Sequence, residues 1–514
     1  MNHIFIYGAP GSGKTTVGHA LAQRLELPFI DLDHAIEVNF GLTIQFIMEQ
    51  QGEPTFRDME TAAIRMVVNS EESVVALGGG SLLREENRAL AEKNGRIVLL
   101  SAEDDTLLGR LDSDVNKRPL LIGDIKENLS RLLSRREAHY RSFALSIQVD
   151  NKSISQIALE AQSALGRYHL SGMGHYDIVV QNFLVEQAGD FLLKHGLKNP
   201  ILVTDENVKK LHAEKVVASL RDSGFNPKVI TIPAGEAYKT LDTINSLWHG
   251  FVENGLDRKS TVIALGGGVV GDMAGFAAAT FMRGVGWVAL PSTLLAMVDA
   301  SIGGKTGFDL PEGKNLIGSF YPPRLVLADP QVLRTLPEEE LISGLAEVVK
   351  AGVISDPILF QLCLRGFKHA IENLEDIVKQ AVAVKIQVIE EDPFENGIRA
   401  KLNLGHTVGH AVEKASGYRI RHGEAVAIGM VAEAKLAERL KVAEKGLSDT
   451  IAETLRGLNL PIDIPGDLPR NEIIRAMSLD KKRANGIVRF ALPVEIGRVE
   501  LVDVENLDRV LEEK

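Results

Sequence analysis

Residues 3–8, HIFIYG, form an apolar run of strand length, GAPGSGKT follows at Gly8–Thr15, and the amphipathic run VGHALAQRL comes after it. Few sequence features restrict a fold as much as a strand, a glycine-rich loop and a helix in that order. The glycines let successive backbone N–H groups turn inward onto phosphate oxygens at a helix N-terminus. Gly11, Ser12, Gly13 and Thr16 build that cradle, Lys14 reaches the terminal phosphates, and the Thr15 hydroxyl is placed to ligate Mg²⁺. Further apolar strands at 29–33, 74–77, 96–100 and 145–149, separated by helical patterns, predict a five-stranded parallel sheet with helices on both faces. Ligands then belong at the strands' carboxyl ends, where Asp31, Asp33, Gly78, Gly79 and Gly80 fall. Arg57, Arg118 and Arg136, the last four residues before Tyr140, add positive charge, which suits an anionic acceptor beside an anionic donor.

The chain has 514 residues, too many for one ordinary domain and enough for two to four. Its one cysteine, Cys363, leaves no disulfide framework and fits a reducing, cytoplasmic setting. The start, MNHIFIYG, enters a strand pattern directly, so no secretory leader is expected. The most apolar region, 262–297, is broken by glycines, Asp272 and Arg283, which favours a buried α/β core over a membrane span. A net charge of −12 disfavours nucleic acid as a partner.

The alternation of strands and helices seen up to here fades between 151 and 175. We place a first domain at 1–166, a linker at 167–173, an α/β half at 174–327 and a mostly helical half at 328–514. Strands are predicted at 201–205, 228–232 and 261–265, and helices at GLAEVVKAGVI and LEDIVKQAVAVKIQVI by their 3.6-residue period. Gly266-Gly267-Gly268-Val269-Val270-Gly271 matches a dinucleotide fingerprint, but no acid follows about twenty residues on, so the motif alone leaves the ligand open. Asp205, at the end of an earlier strand, is available for a ribose, and Glu236 and Lys239 lie in a loop. Arg283, Lys305, Lys314, Lys350, Lys385 and Arg399, interleaved with Asp299, Asn315 and Glu347, suit a small polyanion carrying carboxylate and phosphate.

The densest chemistry lies in Arg399–Glu424, RAKLNLGHTVGHAVEKASGYRIRHGE. His406 and His410 share a helix face at i, i+4, with Asn403 and Arg399 before them and His422 after. Three imidazoles and one distant carboxylate suit a divalent metal. On spacing alone His406 and His410 are the natural ligand pair.

The first 150 residues resemble shikimate kinase, through GxPGSGK[ST], DxD followed by IE, GExxFRxxE, the triple glycine and RPLL. The resemblance implies ATP and Mg²⁺ at Lys14 and Thr15. It implies shikimate at Asp33, Arg57, Gly79, Gly80 and Arg136, and a lid from about 111 to 123 closing through Arg118. Ala138 departs from that family's Arg-x-Pro-x-Tyr. Residues 174–490 resemble 3-dehydroquinate synthase, through PAGExxKT, ALGGGVVGDMAGFAAATFMRGV, LLAMVDASIGGKTG, GKNLIGSFYPP, AEVVK, LNLGHTxGHAxE and HGEAVAIGM. That likeness implies a metal, Zn²⁺ or Co²⁺, on Glu347, His406 and His422, and NAD⁺ on Asp205, Glu236, Lys239, Gly267, Gly268, Asp272, Ser292 and Thr293. Arg283, Asp299, Lys305, Lys314, Asn315, Lys350, Lys385, Arg399, Asn403 and His410 would surround a heptulosonate 7-phosphate substrate. Ser292 stands for the first threonine of a usual Pro-Thr-Thr, and VVQNFL lacks the family's Ile-Gly turn.

The implied protein is a bifunctional enzyme of aromatic biosynthesis with small-molecule substrates and no nucleic-acid or membrane partner, a homodimer through its synthase region. Two other readings remain at this stage: a polyol dehydrogenase in the second half, betrayed by net NADH, and a nucleotide-binding scaffold, betrayed by the lack of acceptor dependence.

Overall fold

In the computed structural model, residues 3–112, 125–394, 397–483 and 487–512 are described. They separate into two units, 1–169 and 170–514.

In the first unit β1 (His3–Gly8), β2 (Phe29–Asp31), β3 (Val74–Ala76), β4 (Gly95–Ser101) and β5 (Ser146–Gln148) stand in the order β2-β3-β1-β4-β5, all parallel. β1 is central and buried along its whole length. Its period of two sends Phe5 and Tyr7 into one core, with Leu32, Ile36 and Phe56, and Ile4 and Ile6 into the other, with Val17, Leu21 and Leu165. The strand predicted through residue 33 ends at Asp31, whose carboxylate accepts from His34 N and caps the helix Leu32–Phe40. An aspartate at this point satisfies a helix N-terminus better than it extends a strand, and Asp33 is thereby moved into the first helical turn.

In the second unit, from residue 176 on, the parallel strands run in the order β7 (Tyr176–Val180), β14 (Leu325–Ala328), β11 (Gly286–Pro291), β10 (Ser260–Gly266), β8 (Lys198–Asp205) and β9 (Lys228–Ile232). Arg167–Leu170, within the stretch read as a linker, is a strand, β6, with Tyr168 and Leu170 buried in alternation. β11 and β14 are short continuous apolar runs, and β7 is one apart from Asp177, a pattern that periodicity does not separate from buried helix. Lys305 and Lys314 lie on an antiparallel hairpin, β12 (Lys305–Leu310) with β13 (Gly313–Phe320).

Beyond residue 328 the unit is helical, as expected, with one correction. β15 (Val488–Glu495) and β16 (Arg498–Val504) form an antiparallel hairpin. Its Val488, Phe490, Leu492 and Val504 alternate into the core of Val408, Val412, Ile428 and Leu436, which a half read as helical did not anticipate. Among the described residues no helix is long and apolar enough to cross a membrane.

Three helices meet backbone to backbone: Glu338–Ser355, His406–Ala415 and His422–Arg439. A Cβ on Gly423 would lie 1.9 Å from Ser343 O, and one on Gly429 would lie 2.0 Å from Gly405 O. Gly423→Ala should therefore destabilise the second unit by about 1–3 kcal/mol through overpacking. Gly457→Ala, whose Cβ would meet nothing nearer than 3.9 Å, should be close to neutral. Both tryptophans, Trp248 and Trp287, lie in this unit, so urea unfolding followed by their fluorescence makes the comparison.

Candidate active sites

The phosphate loop is built by its glycines. Gly13 caps the helix Lys14–Arg24 in the left-handed region at φ 92, and a Cβ on Gly8 would strike Leu100 O at 2.4 Å. Lys14 Nζ donates to Gly8 O (3.1 Å) and Ala9 O (3.0 Å), which sets its ammonium over the loop. Thr15 Oγ1 donates to Asp31 Oδ2 at 2.7 Å, joining the hydroxyl expected on Mg²⁺ to a carboxylate at the end of β2. Arg110, not singled out by any motif, donates to Gly11 O and Ser12 O at 3.4 Å. Arg118 lies outside the described residues.

Beside this loop the triple glycine gathers the acceptor-side groups. Gly79 O receives Arg136 Nη1 (2.7 Å), Tyr140 Oη (3.1 Å) and Tyr7 Oη (3.3 Å). Arg57 pairs with Glu60 (2.5 Å) and Glu53 (2.9 Å). Its pKa rises although burial opposes that, because the Glu60 carboxylate is against it. A Cβ on Gly80 would come 2.8 Å from Arg57 Nη2, and one on Gly78 would come 3.0 Å from Asp33 Oδ1. Asp33, Arg57, Gly79, Gly80 and Arg136 therefore share one neighbourhood, at the carboxyl ends of β1 and β3. With Ala138 in place of proline, the helix Ile125–Tyr140 runs unbroken through Arg136.

In the second unit, Gly266 pairs with Pro291, Leu265 with Thr204, and Asp205 with Ile232. The strand ends thus form a rim carrying Asp205, Glu236, Gly267, Gly268, Ser292 and Thr293. The helix Gly268–Thr280 starts on this rim with Gly267 as its cap, so its positive end faces the crevice. A Cβ on Gly267 would crowd Thr293 Cγ2 at 3.1 Å. Buried Lys239 bridges Asp272 Oδ2 and Asn315 Oδ1, each at 2.7 Å. Burial raises Asp272 to about 6 in spite of that ammonium. Asp205 caps the residues after β8, accepting from Asn207 N and Val208 N, and Lys314 lies 3.5 Å from Glu236.

Glu347, His406 and His422 converge, their ligand atoms all within 4.8 Å of one another. Gly423 N donates to Ser343 Oγ at 3.1 Å, which seats the start of the His422 helix one turn from Glu347. Glu347 Oε1 is buried, without a hydrogen-bond partner among the described residues, and lies 3.6 Å from both His406 Nε2 and His422 Nε2. The opposite ring nitrogens are held from behind: His406 Nδ1 at 3.2 Å from Leu404 O, and His422 Nδ1 at 3.5 Å from Glu413 Oε2. Two imidazoles aimed at an orphaned carboxylate oxygen, each fixed through its other nitrogen, are a donor set that fits a divalent metal. Burial and Lys350 push His406 down to about 3, the neutral form a ligand needs. Burial also opposes a proton on His422, but Glu347 and Glu413 raise it to about 10, so this site attracts positive charge. His410 is exposed and groups with Glu413 and His422 rather than with Glu347.

Three family descriptions match: shikimate kinase over residues 10–165, 3-dehydroquinate synthase N-terminal over 229–343 and 3-dehydroquinate synthase C-terminal over 344–483. The 3-dehydroquinate synthase of Crocosphaera subtropica is 45% identical over 349 residues, 66% of this chain and 96% of its own. The chain belongs to the 3-dehydroquinate synthase family, with a shikimate kinase domain fused ahead of it. Among solved structures, a 2-deoxy-scyllo-inosose synthase complexed with carbaglucose-6-phosphate, NAD⁺ and Co²⁺ is 25% identical with a TM-score of 0.61, over 66% of this chain and 96% of its own. The 2-epi-5-epi-valiolone synthase of Streptomyces hygroscopicus subsp. jinggangensis 5008, with NAD⁺ and Zn²⁺ bound, is 28% identical with a TM-score of 0.59, over 65% and 94%.

The other side chains expected around a synthase substrate divide into two groups. Lys350 and Glu347 form a buried ion pair. Lys385 Nζ donates to Asp299 Oδ1 at 2.5 Å and Asp299 O at 2.6 Å, and Arg399 is buried with Nη1 on Pro393 O at 2.5 Å. Arg283, Lys305, Lys314, Asn315 and Asn403 are exposed, Arg283 in a left-handed turn at φ 69. Glu413 and Glu433 escaped the sequence reading because a glutamate inside a helix gives no local sign of what it faces.

Removing Lys239 would strand the Asp272 carboxylate. At pH 7 Lys239→Met should cost on the order of 2–4 kcal/mol, the range for breaking a buried pair, discounted for water reaching Asp272, whose side chain is 22% exposed. Because Lys239 holds down a carboxyl that burial raises, its removal lifts Asp272 further, so the loss should be full only above the variant's folded pKa and shrink as falling pH protonates Asp272. In an Asp272→Asn background the change should be near neutral. Unfolding followed by the fluorescence of Trp287, which lines the same hollow, tests both statements.

Proposed function

We propose that the kinase domain phosphorylates shikimate with ATP and Mg²⁺. We further propose that the synthase converts 3-deoxy-D-arabino-heptulosonate 7-phosphate to 3-dehydroquinate and phosphate, using NAD⁺ and a divalent metal, Zn²⁺ or Co²⁺. The observation that carries the synthase reading is the buried Glu347 Oε1 facing two Nε2 atoms. The bound NAD⁺ and Co²⁺ or Zn²⁺ of the two related synthases support it.

NAD⁺ would accept a hydride from a ring carbon and return it, and the metal would polarise the oxygen on that carbon. The chain's own residues do the rest. Glu347, His406 and His422 would hold the metal, and the rim from Asp205 to Thr293 would hold the dinucleotide. Lys350, fixed against Glu347, would bring a positive charge beside the hydroxyl oxygen of the carbon being oxidised. Arg399, Lys385 and the exposed His410 offer donors to carboxylate and phosphate. A substrate phosphate held by cations can itself take the proton during elimination.

In the kinase, Lys14 lies over the loop where the transferring phosphate would sit, and Arg57 and Arg136 face the acceptor. We propose a reducing, cytoplasmic setting, which a single cysteine, Cys363, fits. We keep 167–173 as the join between separable halves. Exposed Leu316, Ile317 and Phe320 on β13 support a homodimer through the synthase, which sedimentation would report.

Lys14→Ala should abolish phosphorylation of shikimate and leave dehydroquinate formation near wild type, because the two sites lie in separate units. Coupled assays of both activities on one preparation check this, and loss of both activities would count against independent sites. For the metal, His422→Ala and Glu347→Ala should lose it on dialysis, whereas His410→Ala should keep it and lose turnover. A metal-free His410→Ala protein beside a metal-loaded His422→Ala protein would reverse the ligand assignment.

A further inference from the structure

The helix that carries His406 and His410 begins without a side-chain cap of its own. Its N-cap residue is Gly405, in the left-handed region at φ 79. A side chain there has no room, since a Cβ would meet Val426 O at 2.6 Å and Met430 N at 3.1 Å. The first N–H groups of a helix need acceptors when buried, and here they find one on the neighbouring helix. Glu433, three turns after His422 on the same helix, is fully buried. Its Oε2 accepts from Gly405 N at 2.6 Å and its Oε1 from Val408 N at 3.3 Å.

We infer that Glu433 is a positioning residue for the metal site, holding the turn at Gly405 and with it the direction of His406 Nε2. The link is short. Leu404 O, next to the capped Gly405, lies 3.2 Å from His406 Nδ1 and sets the tilt of that ring. Gly429, one turn before Glu433, packs on Gly405 O so tightly that no Cβ fits. Two anchors therefore fix the His406 helix to the His422 helix, one steric and one hydrogen-bonded. Burial alone disfavours a carboxylate here, raising Glu433 to about 8 against the backbone N–H groups of Gly405, Val408 and Thr407. A polar side chain buried here, with both oxygens on backbone N–H groups at a helix start adjoining His406, is explained by what it holds in place.

The inference rests on the metal reading of Glu347, His406 and His422, and the experiment separates the two. Full-length wild type, Glu433→Ala, Glu433→Gln and Glu433→Asp are compared by Zn²⁺ affinity in chelator competition and by the visible spectrum of the Co²⁺-loaded protein. Shikimate kinase activity on the same chain reports the integrity of the first unit, and tryptophan fluorescence that of the second. Glu433→Ala should bind Zn²⁺ about 10–100-fold more weakly, with an altered Co²⁺ spectrum, and Glu433→Gln, which keeps one acceptor oxygen, should recover part of the affinity. Wild-type affinity and spectrum in Glu433→Ala would overturn the inference. Where Glu433→Ala does not fold, Glu433→Asp decides: its shorter reach should weaken Zn²⁺ binding, and unchanged binding overturns the inference. A wild-type chain that takes up no Zn²⁺ would instead remove the metal reading on which the inference stands.

Discussion

Glu347 is a buried carboxylate, and the second unit is arranged so that positive charge reaches it. Lys350 pairs with one of its oxygens from the next turn of the same helix, and two imidazole nitrogens stand at 3.6 Å from the other. Burying an unpaired carboxylate is prohibitive, so this oxygen needs either a proton shared with histidine or a cation. Each imidazole is already fixed through its second nitrogen, which leaves the Nε2 atoms turned inward. The electrostatics of this centre and the chemistry of a metal-dependent synthase are two descriptions of the same requirement.

Glycine packing gives that requirement its geometry. The His422 helix touches the Glu347 helix at Gly423 and the His406 helix at Gly429, each without space for a methyl group. Backbone contact of this kind fixes interhelical distance more tightly than side-chain packing, which adjusts through rotamers. The first unit uses the same device on a smaller scale: Gly78, Gly79 and Gly80 admit Glu60, Asp33, Arg57 and the Pro10 ring to close range, so charged side chains crowd the glycine-rich loop.

What the sequence made legible was what it writes locally. Strand, phosphate loop and helix are contiguous, so the first unit's fold, Lys14 and Thr15 followed from adjacent residues, and Thr15 was found against Asp31 from the end of β2. The rim of the second sheet was half legible: the glycines at 266–268 announce a close approach, but only the register between β10, β8 and β9 brings Asp205 and Glu236 alongside. Helical spacing selected His406 and His410, which do share a helix face. A shared face is not a shared ion, and it is His422, from another helix, that stands against Glu347. Glu413 and Glu433 were invisible because their partners are distant in sequence, and the hairpin at 488–504 because one alternating segment beyond a long helical stretch gives little warning.

The ligand assignment is the central claim, and anomalous diffraction at the zinc edge from crystals grown with Zn²⁺ examines it without altering a residue. The account predicts one strong peak per chain, about 2.0–2.2 Å from Glu347 Oε1, His406 Nε2 and His422 Nε2. A peak bound instead by His406 and His410, or by His410, Glu413 and His422 with Glu347 left unliganded, would contradict it.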